Sequence, residues 1–208
     1  NLFNTLGLFP DKYSLIEFKR NYFEDKVALD SFVSQCDVIV HLAALNRHKT
    51  PSVIYETNVR LVSSLIESLN RTKSTPHIIM SSSSQEDNDN LYGKSKKVGR
   101  SLLSDWAKDK NAIFTGMIIP NVFGPFGQPY YNSVVATLSH QLSNNEKPKI
   151  DIDGQLKLIY VFDLVANIIN CIIDKRNQDF YNVKHTSEIK VSEVLELLEN
   201  FKITYQEN

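Results

Sequence analysis

Asp37-Val38-Ile39-Val40-His41-Leu42-Ala43-Ala44 decides the fold class. The run is almost continuously apolar, the signature of a strand buried on both faces of a parallel sheet. Upstream, Asp25 to Gln35 reads as a helix with Val27, Leu29, Phe32 and Val33 as its apolar positions. Before it, Ser14 to Phe18 reads as a short strand ending at Lys19-Arg20. Asn1 to Leu8 reads as the end of a helix, with Leu2, Phe3 and Leu6 on one face and Gly7 at its C-terminus. Downstream, a long helix runs from about Pro51 to Asn70. Its Val59, Val62, Ile66 and Leu69 recur at three- and four-residue spacing, and proline suits a first turn. A strand at Ile78-Met80, a helix from Asn90 to about Lys110 and a strand from Ala112 to Ile119 follow. Strand alternating with helix predicts a doubly wound α/β fold.

The texture changes after Pro120. Residues 121–129 carry two glycines and two prolines and read as a loop. A helix near Ser133-Leu142 follows, then a strand over Leu156-Val161. Asp163 is expected to cap a helix running to about Asp174. Phe180-Val183 reads as a short strand. Ser192 is expected to cap the last helix, whose core face is Val194, Leu195, Leu198 and Phe201.

Composition excludes several classes. The 208 residues carry a formal charge of -1 with no basic or acidic block, so nothing favours nucleic acid or an anionic membrane. No apolar run approaches the ~18 residues of a membrane span, and no signal peptide opens the chain. Cys36 and Cys171 form no CxxC pattern, and reduced thiols point to a cytoplasmic location. The histidines show no ligand spacing, so no metal is expected.

The chemistry concentrates in Ser81-Ser82-Ser83-Ser84 and Tyr92-Gly93-Lys94-Ser95-Lys96. An apolar strand delivers the serines. On the helix that follows, Tyr92, Ser95, Lys96, Gly99, Leu103 and Trp106 share one face. A phenol of pKa about 10 is a poor acid at neutral pH unless its anion is stabilised. A lysine one helical turn away supplies a charge that lowers that pKa. A serine from the adjacent strand can bond the reacting oxygen. Together these groups suit proton transfer to or from a carbinol while a nicotinamide carries the hydride. Tyr-x-x-x-Lys alone is a weak pattern: with nine tyrosines, about one chance match is expected. Tyr22-Phe23-Glu24-Asp25-Lys26 is a second match, and it follows no buried strand with serines.

These blocks resemble the extended short-chain dehydrogenase/reductases, the epimerase/dehydratase group that acts on nucleotide sugars. His41-Leu42-Ala43-Ala44, Asn58, Ser81-Ser84 with Tyr92 and Lys96, Pro120-Asn121-Val122-Phe123-Gly124-Pro125 and Tyr160-Val161-Phe162-Asp163-Leu164 match its motifs in order. The resemblance implies a Rossmann-like sheet with a small C-terminal substrate lobe. The expected division is a dinucleotide-binding domain over 1–125, completed by about 156–175, with a lobe of 126–155 and 176–208. Ser83, with Ser84 as its alternate, Tyr92 and Lys96 are implied as catalytic. Leu42, Ala43, Ala44, Tyr92, Lys96, Pro120 and Val122 are implied at the cofactor.

A finer likeness is to the reductase domain of the bifunctional enzymes that make UDP-N-acetyl-L-fucosamine precursors for capsule and O-antigen. It rests on His41-Leu42-Ala43-Ala44-Leu45-Asn46-Arg47, Ser81-Ser82-Ser83-Ser84-Gln85, Asp89-Asn90-Leu91-Tyr92-Gly93-Lys94-Ser95-Lys96 and Tyr131-Asn132-Ser133-Val134. It implies reduction of a UDP-4-keto-6-deoxy-hexosamine with NADPH, a homodimer built on the Tyr92 helix with Val98, Leu102 and Leu103, and a downstream cupin domain. Nothing in this chain resembles a cupin. Arg47, Ser84, Asn121, Asn132 and Lys157 are the candidate sugar and diphosphate contacts. Phe126, Tyr130 and Tyr131 are candidates for stacking on uracil, against the commoner fate of core packing.

One departure is an absence. Such folds open with a strand and a Gly-rich turn that cradles pyrophosphate, and this sequence contains no GxxGxxG. A strand and Gly-rich turn directly upstream are expected. Lys19 and Arg20 end the strand after the first helix without an acidic residue at its very tip, which favours a 2′-phosphate and so NADP over NAD. Rival readings are a 4-epimerase or dehydratase holding NAD, and a non-catalytic cofactor-bound regulator. A dehydratase needs an acidic pair just after the serines; Gln85 takes that slot, with Glu86 and Asp87 late.

Overall fold

The computed structural model describes residues 1–206. The chain divides into two units: Leu2–Ile119 with Val165–Val183, and Asn1 with Pro120–Leu164 and the segment from Lys184 onward.

The larger unit contains α1 (Leu2–Gly7), a 3-10 turn (Arg20–Glu24), α2 (Lys26–Val33), β1 (Val38–His41), α3 (Pro51–Thr72), β2 (His77–Ser83), α4 (Leu91–Lys110) and β3 (Phe114–Ile119). Its four strands are all parallel, in the order β1-β2-β3-β6, where β6 is Gln178–Asn182. Ile39 pairs with Ile78, and Ile79 with Thr115, so the apolar runs stack across the sheet. Leu29 and Val33 of α2, Val62, Leu65 and Leu69 of α3, and Leu103 and Trp106 of α4 bury one face of it. They pack with Ile39, Ile78, Met80 and Phe114. Caps set the helix ends. The Asp25 side chain accepts from the N–H groups of Val27 and Ala28, and that of Asn90 from Gly93. Lys73 and Asn111 close α3 and α4 in the left-handed conformation.

The smaller unit holds β4 (Asn121–Phe123), α5 (Val134–Ser143), β5 (Gln155–Tyr160), the first turn of α6 (Val161–Ile173), β7 (Ser187–Lys190) and α7 (Val191–Gln206). β5 pairs parallel with β4 and antiparallel with β7. Leu138, Leu158, Val191 and Val194 form its core with Phe123, Leu156 and Ile189.

Several expectations need correction. Ser14–Phe18 is not a strand: among the described residues it has no neighbour to complete a ladder. β1 stops at His41, and Leu42–Ala44 leave the sheet, with Leu42 exposed. Ser81–Ser83 belong to β2 itself, because β3 continues to pair with them. Part of the loop expected over 121–129 is β4, since β5 offers it a parallel partner. Asp163 and Ser192 lie inside the first turns of their helices instead of capping them. Ser192 instead bonds both carboxylate oxygens of Asp153. Leu103 is fully buried in the core and is not available to a partner subunit. Phe201 is exposed, and β7 was not expected.

Candidate active site

Side chains alternate along β2, so Ser82 faces opposite to Ser81 and Ser83. Ser81 Oγ donates to the His41 carbonyl of β1 at 3.3 Å. Ser82 Oγ donates to Glu86 Oε1 in a short bond. Ser83 is buried, and its Oγ accepts from the Gln85 N–H at 3.2 Å. That bond uses an acceptor position and leaves the hydroxyl its own proton to donate. Ser84 is exposed, its backbone bonded to Ile119.

The loop after β2 folds back onto the start of α4. A Cβ placed on Gly93 would come within 1.9 Å of the Gln85 carbonyl oxygen, so only glycine fits beside Tyr92. Gln85 therefore touches Ser83 through its N–H and Gly93 through its C=O. Tyr92 is half-buried in the first turn of α4. One turn on, Lys96 is 2% exposed. Burial pushes its ammonium down to about 8, partly opposed by the negative charge of Glu86. His41, also buried, is pushed down to about 3 by burial and by the charge on Lys96.

Asn58 of α3 fixes the loop after β1 to α4. Its Oδ1 accepts from Leu45 N–H at 2.6 Å, and its Nδ2 donates to Leu45 O at 3.0 Å and to Ser95 Oγ at 2.9 Å. Ser95 Oγ in turn donates to the Tyr92 carbonyl at 2.7 Å. A buried asparagine with its amide fully engaged thus ties Tyr92's own turn to the end of β1.

The loop therefore links Ser83 to Gly93 through Gln85, with Tyr92 next to Gly93 in sequence and Lys96 one turn further along α4, all within the larger unit. Ala43 and Ala44, half-buried, follow β1 there, with Leu42 and Arg47 more exposed. Lys19 and Arg20 are exposed at the start of the 3-10 turn. The remaining candidates belong to the smaller unit. Pro120 is buried and Val122 half-buried, while Asn121, Asn132 and Lys157 are exposed. Lys157 stands opposite Glu188 across the β5–β7 ladder. The second Tyr-x-x-x-Lys match is split between the 3-10 turn and α2, and Tyr22 packs on Phe18 and Phe32.

Sequence reading gave no role to Gly93 or Arg100 and weighed Glu86 only as a dehydratase acid. Arg100 forks onto Glu86, Nε to Oε1 at 2.8 Å and Nη2 to Oε2 at 2.7 Å. The two residues are too far apart for any helical spacing rule to pair them. Gly93 lay inside the quoted motif, where a glycine beside the tyrosine was the available signal.

Residues 10–183 match the model of the NAD dependent epimerase/dehydratase family. The chain belongs to that family. It is similar to the UDP-2-acetamido-2,6-beta-L-arabino-hexul-4-ose reductase of Pseudomonas aeruginosa, at 29% identity over 84% of this chain and 47% of the relative. Among solved structures, the capsular polysaccharide assembling protein CapF of Staphylococcus aureus superposes with a TM-score of 0.74 at 30% identity. The match covers 88% of this chain and 49% of CapF. WbmF of Bordetella bronchiseptica, solved with NAD+, shares the fold at a TM-score of 0.79 and 18% identity, covering 93% of this chain and 66% of that one. The chain spans about half the length of the reductase and CapF. It is thus an extended short-chain dehydrogenase/reductase on a Rossmann-like parallel sheet, similar to part of that reductase and of CapF.

Proposed function

We propose that this chain is the reductase part of an NADPH-dependent enzyme that reduces the C4 ketone of a UDP-4-keto-6-deoxy-hexosamine in capsule or O-antigen synthesis. The observation that carries the reading is the buried Lys96 ammonium one turn from Tyr92, on a helix that opens against the Ser83 end of β2. The likeness to the Pseudomonas aeruginosa reductase supports the choice of substrate class.

A nicotinamide nucleotide fits this arrangement: a desolvated cation at the carboxyl ends of parallel strands suits ribose hydroxyls. When bound, the nicotinamide supplies the hydride to C4. Tyr92 gives its phenolic proton to the C4 oxygen as that oxygen becomes a hydroxyl. Ser83 donates a hydrogen bond to the same oxygen, and the Lys96 charge stabilises the phenolate left behind. Lys19 and Arg20 would favour the 2′-phosphate of NADPH. Arg47, Ser84, Asn121, Asn132 and Lys157 would contact the UDP-sugar. The enzyme would act in the cytoplasm as a homodimer, with a cupin domain downstream.

Dehydration is the weaker rival on a specific ground. Both oxygens of Glu86 are held by Arg100, and Asp87 is exposed beside Lys97, so neither carboxylate is placed as a free acid. The test uses the full-length protein with the keto-sugar. NADPH should be consumed one for one with sugar. Tyr92→Phe should lower kcat by about 10²- to 10⁴-fold, and the rate should fall above pH about 8 as Lys96 loses its charge. Turnover with no net NADPH oxidation would mean an epimerase, and an active Tyr92→Phe a non-catalytic role for the tyrosine. Tighter binding of NAD than NADP by calorimetry would reverse the cofactor choice.

A further inference from the structure

The loop between β2 and α4 carries a buried ion pair that the proton-transfer scheme does not use. The Glu86 and Arg100 side chains are 4% and 13% exposed. Desolvating two charges is expensive, and an apolar pair of similar volume is often as stable, so stability alone is a weak reason to keep one. The bonding around the pair suggests what it does.

Glu86 is tied to several elements at once. Ser82 of β2, next to Ser83, donates to its Oε1. Arg100 of α4, about two turns beyond Tyr92, takes both carboxylate oxygens. Arg100 Nη1 also donates to the Asp179 carbonyl of β6 at 3.1 Å, and its guanidinium lies 5.0 Å over the Phe180 ring. The residue immediately before Glu86 is Gln85, whose N–H bonds Ser83 Oγ and whose carbonyl presses on Gly93. The position of Gln85 sets both ends of the site. The loop's other residues, Asp87, Asn88 and Asp89, are exposed.

We propose that the Glu86–Arg100 pair, with Ser82 bonded to its carboxylate, is a positioning clamp that holds Gln85 and thereby fixes Tyr92 against Ser83. The proposal rests on the proton-transfer reading of those residues. Glu86 does not touch the substrate; it acts through Gln85. It has a second effect through its charge. Of the charged or titratable groups near Lys96, Glu86 of the loop favours its charged form, Lys96 in turn disfavours a charge on His41 of β1, and Tyr92 lies one turn away on the same helix. Glu86 favours the protonated lysine there.

Hydrogen exchange and kinetics on the full-length protein test the clamp. Glu86→Gln keeps the shape and removes the charge. The Gln85 and Gly93 amides should exchange at least about tenfold faster, with amides of α2 unchanged. The kcat should drop about 10- to 100-fold, as expected for a small misplacement of reacting groups, with the sugar KM within about twofold. The alkaline limb of the rate should move to lower pH. Arg100→Lys, which retains a single donor, should fall between wild type and Glu86→Gln. If Glu86→Gln does not fold, Ser82→Ala removes only the tie to β2 and should loosen the same two amides about threefold. Uniformly faster exchange with unchanged kcat and alkaline limb, or a Ser82→Ala variant identical to wild type at those amides, would overturn the clamp. If wild type reduces no keto-sugar, the reductase reading fails, while the exchange measurement still decides the clamp.

Discussion

Residues 81–96 and residues 120–133 both carry family motifs, and folding treats them in opposite ways. In the first, Ser82, Ser83, Glu86, Gly93, Ser95 and Lys96 are buried, and the loop between strand and helix is bonded at each step. In the second, Asn121, Pro125, Phe126, Gly127, Gln128, Tyr130 and Asn132 are exposed. Its bends come from local backbone conformation, with Gly124, Phe126 and Tyr130 at φ of 133°, 67° and 58°. Proton transfer demands fixed distances, and buried polar bonds supply them. On the proposed function the exposed segment would serve recognition, a task that loops commonly carry.

Glycines in the two segments give the sharpest contrast. Gly93→Ala would drive a Cβ into backbone at 1.9 Å, whereas at Gly127 the nearest atom is the Ala136 side chain at 3.0 Å. Gly93→Ala should cost about 3 kcal/mol or more in urea unfolding, and Gly127→Ala under about 1 kcal/mol. Equal costs would break the distinction between a packed and an open segment.

Asparagines give the next. Asn58→Ala strands the Leu45 backbone groups and Ser95, and should cost about 2–3 kcal/mol. Asn132→Ala, at an exposed position, should stay within about 0.5 kcal/mol. Asn58→Ala should also lower kcat, since the same bonds hold the turn of Tyr92.

The parts legible in the sequence are those with local causes. The apolar runs at Val38–His41 and Phe114–Ile119, and the one-sided face of α4, follow from periodicity, and the structure places them as expected. Asn90 and Ser133 cap helices as their residue types allow. Errors occurred where a partner distant in sequence decides. Ser14–Phe18 has strand composition but no ladder, β4 has loop composition but a ladder from β5, and Ser192 serves Asp153. At the site, Tyr92 and Lys96 are one turn apart and were readable. The Glu86–Arg100 pair joins a loop to a helix and was not.

Acid should probe the strand beside the buried segment more gently. His41 is neutral in the fold, its pKa held at about 3 against an ordinary 6.5. The unfolded chain binds a proton there that the folded chain does not. Its contribution is therefore complete above pH about 6.5 and is lost as the pH falls toward 3, with a slope approaching 1.4 kcal/mol per pH unit. At pH 5 the loss should be about 2 kcal/mol, read as a shift in the urea midpoint. His41→Gln should flatten that part of the profile; an unchanged slope would assign it to other groups.

The smallest stability effect belongs to the open segment and carries a functional signal. Phe126 holds a left-handed φ and is 84% exposed as a residue, so neither backbone preference nor burial explains a phenylalanine there. Core packing, the alternative to a stacking role, does not apply to it. Strain retained at an exposed aromatic suggests a ligand contact. Phe126→Gly should leave stability within about 0.5 kcal/mol, because the relieved backbone offsets the added freedom of the unfolded chain. If the ring stacks on uracil, KM for the UDP-sugar should rise about five- to tenfold with kcat unchanged. An unchanged KM would leave residues 120–133 without the recognition role proposed for them.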